Sequence, residues 1–151
     1  MTFERKALIH RPPDWVRDGE VFFITLCLAD RSSDLLVQSE VVPLIRDSVA
    51  FYQNEGHWWC ELLLLMPDHL HALLSFNQRD RSMSQSIQTW KRYLNRSAGI
   101  GWQRGYFDHR IRSADALREK TRYIQHNPVR AGLVERSEAW PHIWTGADLQ
   151  R

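Results

Sequence analysis

Met66-Pro67-Asp68-His69-Leu70-His71-Ala72-Leu73-Leu74-Ser75-Phe76 carries the period of a β-strand. Leu70, Ala72, Leu74 and Phe76 share one parity, and His69, His71, Leu73 and Ser75 share the other. Strand side chains alternate between faces, so both imidazoles project together while an apolar row faces the opposite way. Pro67-Asp68 separates this strand from the apolar run 58–66, which reads as a buried strand. Further upstream, the β-branched and aromatic run Val21-Phe22-Phe23-Ile24-Thr25-Leu26-Cys27-Leu28 reads as another strand. Between these, residues 35–54 place Val41, Leu44, Ile45, Val49 and Tyr52 at helical spacing and stop before Gly56.

Downstream, 77–82 is polar loop, and 84–97 reads as a helix closed by Gly99 and Gly101. A strand is expected over 105–112. Ser113 then caps a helix that reaches about Asn127, where Pro128 stops it. Residues 1–19, with Pro12-Pro13, read as an irregular arm, and the Trp-rich 129–151 as a C-terminal wrap. The order is βαββαβ followed by one more helix. That is the α+β, ferredoxin-like plan: a largely antiparallel sheet with two helices on one face, and an additional C-terminal helix free to cover the other. The whole chain, 1–151, reads as a single domain.

Composition narrows the class. The chain has 151 residues, 43% hydrophobic and 25% charged, a balance that supports a packed core rather than disorder. Two cysteines make no disulfide framework, and no apolar run approaches the roughly 20 residues of a membrane helix. The N-terminus lacks the apolar segment of a signal peptide, so a cytoplasmic protein with no membrane partner is expected. Charge is uneven. The net charge is +2, but residues 79–136 carry 13 basic against 5 acidic groups, net +8, while residues 1–78 are net −5. Eleven of those 13 cations are arginines, and Trp90, Tyr93, Trp102, Tyr106, Phe107 and Tyr123 lie among them. Guanidinium groups grip phosphates and aromatic faces stack on bases, so this segment suits nucleic acid; a solvated basic helix face is the plainer alternative.

Two side-by-side imidazoles suit a divalent cation with positions left open for substrate oxygens; a pair bonded to neighbours or water is the alternative. If 113–127 is helical, Tyr123 and Asn127 stand one turn apart, while Leu117 and Ile124 form a separate apolar stripe about 100° away. Asn127 offers a hard carbonyl oxygen for Mg²⁺ or Mn²⁺, or else caps the helix end before Pro128. A metal held by His69, His71 and Asn127 would polarise a phosphodiester, and the Tyr123 hydroxyl would attack it to form a phosphotyrosine. Activation of the phenol by the metal, by Lys120 or by water is left open.

Met66-Pro67-Asp68-His69-Leu70-His71-Ala72-Leu73-Leu74 resembles the histidine motif of the IS200-like single-tyrosine transposases, which are HUH nucleases. Trp102-Gln103-Arg104-Gly105-Tyr106-Phe107-Asp108-His109-Arg110-Ile111-Arg112 and Tyr123-Ile124-Gln125-His126-Asn127-Pro128-Val129-Arg130-Ala131-Gly132-Leu133-Val134 resemble their REP-associated branch. The resemblance implies a ferredoxin-like fold with a catalytic helix beside the histidine strand. It implies a metal-dependent endonuclease and strand transferase acting on single-stranded DNA near imperfect hairpins, through a 5′-phosphotyrosine. Tyr123 falls at the nucleophile, His69 and His71 at the metal ligands, and Asn127 at a third ligand. Mg²⁺ or Mn²⁺ is the expected cofactor, and a monomer or homodimer the expected state. Arg5, Lys6, Arg11, Arg92, Arg104 and Arg112 are candidate DNA contacts, and His109 leans toward a buried support. A non-catalytic hairpin-binding module and a metal phosphodiesterase using water are the alternatives.

Overall fold

The computed structural model describes residues 12–17 and 20–150. The sheet is built from β1 (Val21–Cys27), β2 (Trp58–Leu65), β3 (His69–Phe76), β4 (Phe107–Ile111) and β5 (Ile143–Thr145). Its order is β4-β1-β3-β2-β5, and every neighbouring pair is antiparallel. Helices α1 (Val42–Asn54) and α2 (Met83–Ala98) connect β1 to β2 and β3 to β4. The βαββαβ plan is therefore present, with β5 added at the outer edge of β2.

Alternation in β1 and β3 divides the interior in two. Ile24, Leu26, Leu70 and Leu74 meet Ile45 and Val49 of α1 and Ile87, Trp90 and Leu94 of α2. The indole N–H of Trp58 donates to the Val49 carbonyl at 3.2 Å, and that of Trp90 to Ser48 Oγ at 2.8 Å, so both large rings are buried with their polar atoms satisfied. On the other face, Leu62, Leu64, Met66 and Leu73 pack against Ile124 of α3 (Ala114–Gln125), with Leu117 and Trp140 at the margin. The C-terminal helix thus covers the face that carries the histidines, as the sequence order predicts.

Several expected boundaries shift for local reasons. The helix expected over 35–54 is a 3₁₀ turn at Leu35–Val37 followed by α1, because Pro43 has no N–H to give and fits only in a first helical turn. Helix α2 begins one residue early: Ser82 Oγ accepts from the Gln85 N–H while the Gln85 side chain accepts from the Ser82 N–H. Within the arm read as irregular, Asp14–Arg17 form one helical turn behind Pro12-Pro13. The C-terminal wrap holds β5 and a short capped turn, α5 (Gly146–Leu149). Helix α3 ends at Gln125, and Asn127–Arg130 forms a separate turn, α4. Asn127 therefore does not continue the Tyr123 helix by one turn. Pro128 denies α3 its next hydrogen bond, and the chain bends at His126 (φ −91°, ψ −1°).

Candidate active site

His69 and His71 stand side by side on β3, their ring centroids 4.8 Å apart and their planes at 72°. Each ring is held through Nδ1. Asp68 Oδ1 lies 2.9 Å from His69 Nδ1, and Thr25 Oγ1 lies 2.9 Å from His71 Nδ1. Thr25 is the cross-strand partner of His71 on β1, so sheet register alone delivers its hydroxyl. Asp68 is itself fixed by Arg31, whose Nε donates to Oδ2 at 2.6 Å. Burial would raise the Asp68 carboxyl, but the bonds from His69 and Arg31 outweigh it and hold the group below the usual carboxylate range. An Nδ1–H donated to each oxygen leaves both Nε2 lone pairs for a Lewis acid, the arrangement that orients metal-binding imidazoles.

His71 is buried, and its pKa falls to about 3, first through desolvation and then through the charges of His69, Lys120 and Arg130. It stays neutral at any ordinary working pH, the form a ligand requires. Among the described residues no third His, Cys, Asp or Glu joins the pair into a cluster. The donor set thus fits a cation held by two imidazoles, with its other positions open to a neutral side chain, water or substrate.

Helix α3 lies over this face because Ile124 is buried in the second core. One residue away round the helix, Tyr123 is 47% exposed, so its ring is not consumed by apolar packing. Two cations bracket it. Lys120 Nζ lies 4.9 Å from the Tyr123 ring centre and 4.5 Å from that of Phe23, and the Phe23 ring is 4.9 Å from His71. The Arg130 guanidinium sits 4.0 Å over the Tyr123 ring, while its Nη2 donates to the Tyr123 carbonyl at 2.6 Å. Phenol, cations and imidazoles thus occupy one face of the sheet. Asn127 is half-buried at the start of α4, in the turn that brings Arg130 back over Tyr123.

Among the candidate DNA contacts, Arg92 and Arg104 are exposed and line one cleft of about 510 Å³ between α2 and the loop before β4. Arg112 is exposed immediately after β4. Arg5, Lys6 and Arg11 lie outside the described residues. His109 is exposed on β4, an edge strand with one open side, rather than a buried support. Sequence reasoning missed Thr25, Phe23 and Arg130 as parts of the site. The first two lie 46 residues or more before His71 and reach it only through the pairing of β1 with β3; Arg130 depends on the helix break that Pro128 imposes.

An antiparallel sheet bearing paired imidazoles, with a tyrosine helix laid on the same face, is the arrangement that the motifs' resemblance to the IS200-like single-tyrosine transposases implies. No protein-family model matches the chain. A Haemophilus influenzae protein named "putative REP-associated tyrosine transposase" is 29% identical over 143 residues, covering 82% of this chain and 78% of that one. A solved structure of a REP-associated tyrosine transposase bound to a REP hairpin superposes with a TM-score of 0.71 at 24% identity, covering 83% of this chain and 76% of that one, and so shares the fold. The chain is thus similar in sequence to one REP-associated tyrosine transposase and shares the fold of another. Among the described residues no helix is long and apolar enough to cross a membrane.

Proposed function

We propose that this chain is a metal-dependent, site-specific single-stranded DNA endonuclease and strand transferase that acts beside REP-like hairpins. The observation that carries the reading is the pair of imidazoles tied through Nδ1 on the face where Tyr123 stands exposed between Lys120 and Arg130. The similarity to a transposase solved with a REP hairpin supports the choice of substrate. His69 and His71 would hold Mg²⁺ or Mn²⁺, with Asn127 as third ligand; when bound, the ion supplies Lewis-acid polarisation of a phosphate oxygen.

The chain's own groups do the rest. The Tyr123 oxygen attacks the scissile phosphorus, an O–P bond forms, and the bond from phosphorus to the 3′ oxygen breaks. The phenol proton is released and the departing 3′ oxygen takes one up, leaving a 5′-phosphotyrosine and a free 3′-hydroxyl. Lys120 and Arg130 place positive charge where the phosphate oxygens arrive. Attack by a 3′-hydroxyl reverses the step, and the phosphotyrosine ester conserves the energy of the broken diester. Incubation of a hairpin oligonucleotide with Mn²⁺ should give a protein–DNA adduct on a denaturing gel, abolished by Tyr123→Phe or His69→Ala. An adduct that survives Tyr123→Phe would remove the nucleophile from this account. Multiple turnover retained by Tyr123→Phe but lost in His69→Ala would replace it with attack by water.

A further inference from the structure

Strand register places an aromatic ring in line with the imidazole site. His71 pairs with Thr25, and Thr25 pairs with Phe107 on β4, so His71, Thr25 and Phe107 form one cross-strand row with side chains on one face. Two strand spacings separate Phe107 from His71, about 10 Å, which one or two nucleotides span. Phe107 is 70% exposed, the most exposed large apolar side chain among the described residues, and it stands on a strand rather than a mobile loop. Its burial in this fold contributes little that would explain a phenylalanine there.

A cationic path leads on from the same row. Thr25 and Phe107 line a cleft of about 210 Å³ together with Arg104. Arg104 also lines the next cleft, of about 510 Å³, with Arg92 and Arg96 of α2. The loop that carries Arg104 is fixed from below: the buried Lys91 ammonium donates to the Gln103 carbonyl at 3.0 Å and the Gly105 carbonyl at 2.7 Å. Lys91 is spent on the loop, and the arginines remain on the surface. An exposed ring beside the site, followed by arginines along adjoining clefts, is the combination that holds single-stranded nucleic acid: stacking for bases, charge for phosphates.

We infer that a base flanking the cut stacks on Phe107, and that the strand then leaves the site round the β4 edge past Arg104 into the cleft between the β4 loop and α2. This rests on the proposed DNA substrate but not on the chemistry of cleavage. The test therefore measures binding of a fluorescein-labelled REP-like hairpin with single-stranded flanks, in EDTA and on a Tyr123→Phe background. Phe107→Ala weakens binding about tenfold, and Phe107→Trp restores it. Replacing flank bases one at a time with abasic sites locates one position at which Phe107→Ala costs nothing further. Arg104→Ala lowers the salt-dependence slope of log Kd by about one, while Phe51→Ala, an exposed ring on α1 outside the path, leaves binding unchanged. Equal affinity for wild type and Phe107→Ala, or a loss that persists at every abasic position, overturns the stacking. No binding by any form overturns instead the substrate reading on which it rests.

Discussion

Thr25→Val isolates what the second row of the site does. The substitution keeps shape and β propensity and removes one atom's worth of chemistry, the hydroxyl 2.9 Å from His71 Nδ1. Thr25 is buried, so no water replaces the lost partner freely. Leaving a buried imidazole N–H unpaired costs about 1–3 kcal/mol. The ring can escape that cost by moving its proton to Nε2, which then has no lone pair to offer a cation. Either way the metal-competent tautomer is disfavoured, and loss of such an orienting partner weakens metal affinity about 10- to 100-fold. Titrating Mn²⁺ into the variant by calorimetry should show that shift. The rate of adduct formation should need correspondingly more Mn²⁺ while its plateau stays within a few-fold of wild type. Asp68→Asn should act likewise through His69, with an added loss from the Arg31 contact. An unchanged Mn²⁺ requirement with a collapsed plateau would refute the reasoning, because the hydroxyl would then be acting on the reaction and not on the ligand.

His71 predicts a pH dependence of stability in metal-free buffer. Its folded pKa, about 3, lies below the ordinary value of 6.5, so the unfolded chain binds the extra proton and stability falls as pH drops from 6.5 toward 3. The slope approaches about 1.4 kcal/mol per pH unit, and urea titrations at several pH values should find that contribution missing in His71→Asn. Gly146→Ala should destabilise by several kcal/mol or block folding, since a Cβ there overlaps the Trp59 ring and comes within 2.6 Å of the Cys60 carbonyl oxygen; thermal melts check it.

The parts of this protein that a reader of the sequence sees are those whose cause is local. The His69/His71 parity is a property of eight consecutive residues, and Ser113 caps α3 through its own third neighbour. Thr25 is invisible for the opposite reason: nothing in a continuous apolar strand marks its one hydroxyl as part of a site, and only the pairing of β1 with β3 gives it an imidazole. β5 was missed because three residues, Ile143-Trp144-Thr145, carry too little period, and it exists because β2 has an open edge. The helix expected to reach Asn127 ends at Gln125 for a cause that the sequence carries in plain view. Pro128 marks a stop after the helix, and its missing N–H also acts on the residues before it.

That break is what holds the Tyr123 ring, the nucleophile of the proposed reaction. In an uninterrupted helix, residue 130 would share the azimuth of residue 123 but lie about 10 Å further along the axis, too far for a guanidinium to fold back onto the ring. The turn at His126 shortens the path, and Arg130 then grips Tyr123 twice, through the backbone carbonyl and across the ring face. A half-exposed tyrosine on a regular helix would otherwise sample its rotamers freely. Pro128→Ala restores a helical N–H and favours continuation of α3 by about 3 kcal/mol of propensity, yet it should slow adduct formation by removing Arg130 from the ring. Arg130→Gln should slow it by a similar several-fold, in keeping with a cation–π contact of about 1 kcal/mol. Because both act through one contact, the double variant should be no slower than the worse single one, measured as single-turnover rates at saturating DNA and Mn²⁺. Full additivity would show that the break and the arginine serve separate ends, and that something else steadies the phenol.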